Sequence, residues 1–237
     1  MMPLSRQSHI LHYSNLENDV TDIERWIADL NAESADQQET AVQNLIALGS
    51  PAIDYLIEAI NDGDATTCTN AIEALGQIGD SRAIGTLIIA LQDSDHSVII
   101  AAMNALRRIG DPLAVPPLIG FLSENDLYLH FYATHALSQI NCPETVDALL
   151  NVLDHEDSNV RHGSIVALGR LGDQRAIEPL MKRLADTENK IRYSAVYALG
   201  DVADRGDTSV MAALELLLDD LDEHIRSAAQ EAIKKLM

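Results

Sequence analysis

The 237-residue sequence predicts an all-α solenoid, a superhelix of about seven helix pairs that presents a surface and does not enclose a pocket. Ala74-Leu75, Ala105-Leu106, Ala136-Leu137, Ala167-Leu168 and Ala198-Leu199 recur every 31 residues. A second series in the same register runs Ile84, Val115, Val146, Ile177, with Leu87, Leu118, Leu149, Leu180 and then Leu91, Leu122, Leu153, Leu184 beside it. Steps of three and four residues put each set on one helical stripe. Hydrophobic residues make up 47% of the chain and aromatics only 4%, so Leu, Ile, Val and Ala must fill the interior, as between packed helices.

Residues 1–20 read as an N-terminal tail or cap, and 21–237 as a single solenoid. In each repeat a first helix, for example Arg82 to Gln92 or Arg175 to Ala185, leads into a short acidic turn. The second helix begins near Asp95, Asp126, Asp157, Glu188 or Asp222, three residues before Val98, Leu129, Val160, Ile191 and Ile225. An acid there satisfies orphan N–H groups and opposes the helix dipole. The second helix ends at Gly79-Asp80, Gly110-Asp111 or Gly172-Asp173, where glycine takes the left-handed cap conformation. The ends depart from the period: Leu45 precedes Leu75 by 30 residues, and Ile233 follows Leu199 by 34, the extra residues falling around Ala203 to Asp207.

Sixteen Lys and Arg against thirty-seven Asp and Glu give a formal charge of -21, a field that repels phosphate backbones and anionic headgroups. Nucleic acid and membrane are therefore not the expected partners. Cys68 and Cys142 stand 74 residues apart with no CxxC spacing, and Met1 to Asn18 lacks the apolar core of a signal peptide. A cytoplasmic protein is expected.

The candidate site lies on the second helices, which in a solenoid line the concave face. With Val98, Ala102, Ala105 and Ile109 inward, the exposed side carries Tyr128, Phe131 and His135 in one repeat, His162 in the next, and Tyr193 and Tyr197 in the one after, with Tyr132 on the flank. Five of the chain's nine aromatics therefore share one face. A solvated face carries Glu, Lys and Gln instead, so this one reads as a partner-binding surface. Arg107 joins it, with Arg108 and Arg170 nearby, where they would meet a carboxylate-bearing ligand or an acidic partner. Arg161, Arg192 and Arg226 share one register position at the edge of the core stripe; Arg161 and Arg192 are counted with the partner-binding face, and a ladder to the Asp that ends a neighbouring unit, such as Asp173 or Asp204, is also expected of them.

No catalytic constellation competes with this reading. GxSxG, P-loop and GxGxxG motifs are missing, and the single His-Glu pair, His155-Glu156, falls in a turn. No metal site is expected: His130, His135 and His162 are the candidate ligands, but His130 and His135 are five residues apart and point to different sides. The acidic turns lack EF-hand spacing and read as caps.

Val160-Arg161 followed by Ala167-Leu168-Gly169-Arg170-Leu171-Gly172-Asp173, nearly repeated at Ile191-Arg192 and Ala198-Leu199-Gly200, resembles the HEAT-like repeats of the phycobilisome-lyase family over roughly residues 35–237. Such repeats occur in bilin lyase subunits, chromophore-detaching proteins, assembly chaperones and scaffolds. The absence of a catalytic set favours a non-catalytic scaffold or assembly chaperone that binds a partner protein through the concave face and needs no cofactor. The alternative implied by the resemblance is a phycobilin lyase or chromophore-detaching subunit. It would act on a phycobiliprotein with a second HEAT-like subunit and take a linear tetrapyrrole bilin as ligand. The face aromatics would then stack on pyrroles, Arg161 or Arg192 would meet propionates, and Cys68 would be the thiol for covalent carriage.

Overall fold

A computed structural model describes residues 21–237, and every described element is helical. The expected tail or cap over 1–20 lies outside the described residues. Helix α1 includes residues 21–29. It is followed by α2 (Ala35–Leu48), α3 (Ile53–Asp62), α4 (Ala65–Ile78), α5 (Ile84–Ala90), α6 (His96–Ile109), α7 (Val115–Gly120), α8 (Leu127–Leu137), α9 (Pro143–Asn151), α10 (Ser158–Leu171), α11 (Ile177–Arg183), α12 (Asn189–Val202), α13 (Thr208–Glu215) and α14 (Glu223–Leu236). These are seven helix pairs, the number the repeats imply. The chain divides within α6 into two compact units, Met1–Ala105 and Leu106–Met237.

In the first unit α4 packs on both α2 and α3. Leu45, Leu56, Ile72, Leu75 and Leu87, all repeat positions or their neighbours on the stripe, are almost fully buried. In the second unit α8, α10, α12 and α14 pack in succession as one layer, and the first helices α7, α9, α11 and α13 back them. Leu118, Leu149, Leu168, Leu180 and Leu199 fill the space between the layers with no exposed surface.

The first helices are shorter than the periodicity suggests, because each of several opens as a single 3-10 turn. Asp80, Asp111 and Asp173 accept from the backbone N–H two residues on and so cap Ser81–Ala83, Pro112–Ala114 and Gln174–Ala176. Second helices are capped as expected by Asp126, Asp157 and Asp222, whose side chains accept from Tyr128, Asn159 and His224 N–H. Glu188 occupies the same position without capping through its side chain, while its own N–H donates to Asp186. At the other end Gly79 and Gly172 take φ of 75° and 69°, and their N–H groups return to Leu75 and Leu168. Any side chain at this conformation is strained, which fixes glycine there.

The Ala-Leu-Gly motif has a packing cause. A Cβ on Gly169 would lie 2.9 Å from both Cα and Cβ of Ala198, and one on Gly76 would lie 2.7 Å from Ala105 Cα. The bare glycine lets the alanine of the next second helix sit against backbone. The added residues near the C-terminus form the connection from α12 to α13, where Gly206 N–H donates to Leu236 O at 2.8 Å and ties this longer loop to the last helix. Ile233 keeps the register position of Leu199 but is half-exposed, since no described repeat follows to cover it.

Candidate functional site

The second-helix face of Leu106–Met237 is built from residues that the core stripe leaves outside. Tyr128, Phe131, Tyr193 and Tyr197 are 74%, 56%, 39% and 45% exposed, while Tyr132, His135 and His162 are half-buried. On α8, Phe131 packs edge-on to Tyr132 at 5.5 Å and stacks on His135 at 6.3 Å between centroids. On α12, one turn apart, Tyr193 and Tyr197 lie 4.8 Å apart with their hydroxyls 3.3 Å from each other. These ring contacts leave much of the four exposed rings in solvent.

Histidine on α10 joins the two clusters. His162 stacks on His130 of α8, with the planes 9° apart, and its Nδ1 lies 2.8 Å from Ser194 Oγ on α12. The Ser194 hydroxyl proton is given to Lys190 O, so Ser194 Oγ accepts and His162 Nδ1 is the protonated nitrogen. His130 Nδ1 donates in the same way to Leu122 O at 3.1 Å. Each ring thus carries a proton on Nδ1 and in its neutral form presents Nε2 as acceptor. Burial, with Lys190 and His130 adding to it, pushes the His162 imidazole down to about 4. Burial lowers His130 too. His135 is lowered by burial and then by the guanidinium groups of Arg107 and Arg170. The sequence points to His130 only as a candidate metal ligand and to Ser194 not at all, because both lie between face and core.

Shallow hollows run between the second helices. One of about 240 Å³ is lined by His162, Val166, Arg170, Tyr193, Tyr197 and Asp201, among others. A second, of about 350 Å³, shares His162, Tyr193 and Ser194 and extends to His224 and Ile225. They are open to solvent and of a size to take side chains. Among the described residues no group of three or more His, Cys, Asp or Glu is placed to hold a metal ion. No described helix is long and apolar enough to cross a membrane.

Arg161 and Arg192 stand apart from the aromatic face, with their guanidinium groups turned to the inter-helix turns. Arg161 is 9% exposed; it donates to His155 O and Glu156 O, closing its own turn, and reaches Asp186 and Glu188 of the next repeat. Arg192 repeats this with Asp186 O and Asp220, and its hydrogen bonds hold the Asp220 carboxyl below the usual carboxylate range. The ladder therefore exists, but its acids are those of the inter-helix turns and not the repeat-ending Asp173 and Asp204. The reason is length. Arg161 lies in the first turn of α10, and Asp173 follows its last turn, roughly 18 Å away at 1.5 Å per residue. Asp173 instead binds Arg175, and Asp204 accepts from Gln174.

Cys68 is buried, and its Sγ donates to Ile60 O at 3.2 Å. Burial raises its pKa, so it is a shielded thiol and not an activated one. Cys142 stands at the N-cap position of α9, where its Sγ lies 3.0 Å from Thr145 Oγ1 in place of the usual aspartate contact.

Comparison with known proteins agrees with this architecture. No curated protein sequence matches the chain. Similar solved structures include the archaeal HEAT-like repeats protein from Thermococcus onnurineus NA1, at 14% identity and TM-score 0.58 over 90% of this chain and 96% of that one. The complex of CpcE and CpcF of phycocyanin lyase from Nostoc sp. PCC7120 is 23% identical with TM-score 0.47, covering 91% of this chain and 94% of that one. Human deoxyhypusine hydroxylase in complex with glycerol is 24% identical with TM-score 0.42, covering 94% and 99%. The archaeal protein shows the shared fold. The family profile for HEAT repeats matches residues 23–99, 53–130, 122–200 and 147–234, and the chain belongs to the HEAT-repeat family.

Proposed function

We propose that this protein is a non-catalytic scaffold or assembly chaperone that binds another protein through the second-helix face of Leu106–Met237 and works in a reducing, cytoplasmic setting. The observation that carries the reading is the exposure of Tyr128, Phe131, Tyr193 and Tyr197 on one side of α8 and α12 in a chain with nine aromatics in all. Aromatic rings on rigid helices give contact area at low entropic cost, the property of interface hot spots. Tyr132, His135, His162 and Arg107 complete the face, while Arg161 and Arg192 hold successive repeats together beside it.

The test is a binding measurement on the partner recovered by pull-down. Phe131→Ala with Tyr197→Ala should weaken binding by at least about 2 kcal/mol, roughly thirtyfold in Kd, without moving the helical signal or the melting temperature. Glu178→Ala with Lys182→Ala is the matched control, since those two side chains are 79% and 65% exposed on a first helix and pair mainly with each other. A greater loss from the control pair would put the partner on the first-helix side. Loss of the fold in the aromatic variant would make the rings core.

The likeness of the Ala-Leu-Gly repeats to phycobilisome-lyase sequences favours a second reading, a bilin lyase or chromophore-detaching subunit acting on a phycobiliprotein beside a second HEAT-like subunit. Incubation with a linear tetrapyrrole separates the two. A bilin subunit shifts the pigment's visible spectrum through the same aromatic residues, and a scaffold leaves it unchanged.

A further inference from the structure

The arginines of this protein divide into two kinds. Arg82, Arg161, Arg175, Arg183 and Arg192 each form an ion pair with a described carboxylate. Arg107 and Arg170 do not. Arg108, Arg205 and Arg226 likewise have no ion pair with a described carboxylate, but it is Arg107 and Arg170 whose charge reaches His135 on the aromatic face. Both lie near His135 of α8, which stacks on Phe131, and their charge lowers its pKa. Arg107 stands at the motif position held by Gly76, Gly169 and Gly200 in three other repeats, and its Nε is buried with no hydrogen-bond partner.

Arg170 also lines the hollow of about 240 Å³ with Val166, Tyr193 and Tyr197. The one carboxylate there, Asp201, is taken by Lys235 at 2.6 Å. Lys190, on the same face, is held by Asn159 Oδ1 at 2.9 Å and has no described acid partner. Around His135 the charges are therefore cationic, while Glu231 lies near Tyr197 and Asp222 lines the second hollow, on a protein of charge -21. Screening decides which charge a bound segment feels: with a Debye length of about 8 Å in physiological salt, acids elsewhere are largely screened, and the adjacent guanidinium groups are not.

We propose that the occupant of this face is an acidic segment of a partner protein, with an aliphatic or aromatic side chain seated in the hollow and Asp or Glu side chains meeting Arg107 and Arg170. Guanidinium and carboxylate form paired, charge-assisted hydrogen bonds, which the half-buried Arg107 and the exposed Arg170 would make through their terminal nitrogens. This inference rests on the aromatic face being the binding face and adds the chemistry of what binds there.

The experiment selects a displayed library of random peptides on the full chain, then measures the selected peptides by fluorescence anisotropy against four proteins: wild type, Phe131→Ala/Tyr197→Ala, Arg170→Gln and Arg107→Gln. Arg170 is exposed, so its replacement keeps the test sound should Arg107→Gln disturb folding. The expected result is a selected set richer in Asp and Glu than the input library, needing Phe131 and Tyr197, and weakened about tenfold by Arg170→Gln. Its binding should also fall steeply with added salt. Peptides that need the two aromatics but are neutral or basic, or that ignore Arg170, overturn the acidic partner and leave the face standing. Peptides indifferent to Phe131 and Tyr197, or a selection that yields none, overturn both.

Discussion

His162 is held neutral by its surroundings, and the consequence is a pH-dependent stability with a defined sign. Its ordinary value is 6.5 and its folded value about 4, so between these the unfolded chain takes up a proton that the folded chain refuses. The stabilisation is complete above pH 6.5 and drains away as pH falls through 4. Discounted for the ring's partial exposure, it amounts to about 1–2 kcal/mol. His162→Asn keeps an N–H donor near Ser194 Oγ and removes the titration. Urea midpoints at pH 7 and pH 4.5 should therefore differ less in the variant than in wild type, His130 and His135 supplying the remainder; an unchanged difference would show that His162 is not the group responsible. Arg161 makes a related point about reading sequence. Its register identified a ladder, yet the acids it meets were misassigned, because a repeated position says that a contact recurs and not which end of a helix it reaches. Its removal should cost about 3 kcal/mol, since Asp186 would stay buried with little compensation. Arg161→Lys should restore only part of that in thermal melts, lacking the planar fork.

At the scale of the helix, close approach and propensity oppose each other, and their magnitudes decide the outcome. Gly169→Ala gains about 1 kcal/mol of helix propensity but drives a Cβ to 2.9 Å from Ala198 Cα, a backbone atom that cannot rotate away. Overpacking of this kind costs about 1–3 kcal/mol, so a net loss of about 1 kcal/mol is expected. Gly85→Ala in α5 meets nothing within 4 Å and should instead stabilise by about 0.5–1 kcal/mol. Opposite shifts in denaturation midpoint would confirm the pairing of Gly169 with Ala198, and a stabilised Gly169→Ala would dismiss it. The pairs of helices, their caps and the Gly ends were legible because each rests on one residue type at a fixed spacing. The 3-10 openings at Ser81, Pro112 and Gln174 were not, since the aspartate before each suits either helix type as a cap. The role of Ser194 between α10 and α12 was equally hidden, because it depends on how two helices are set side by side.

At the scale of the whole molecule, stability is a sum of repeats and the interfaces between neighbours, so a local loss should be felt unevenly along the chain. Leu168 tests this, being fully buried on α10 at the centre of the Leu106–Met237 stack. Leu168→Ala removes packing and opens a cavity, at a cost of about 2–5 kcal/mol. In one undivided core that cost would lower the protection of every slowly exchanging amide alike. In a repeat stack it falls first on α10 and on α8 and α12, which pack directly against it, and less on α14, which touches α12 and lies one interface further out. Native-state hydrogen exchange resolves the difference, because amides that open by local unfolding report the free energy of their own unit. The expected profile is a graded one, with protection in α10 reduced by the full amount and protection in α14 reduced by a smaller one. Uniform loss across α8 to α14 would make this unit a single cooperative block. A change below about 0.5 kcal/mol in α10 itself would mean that Leu168 is not the knob its repeat position assigns.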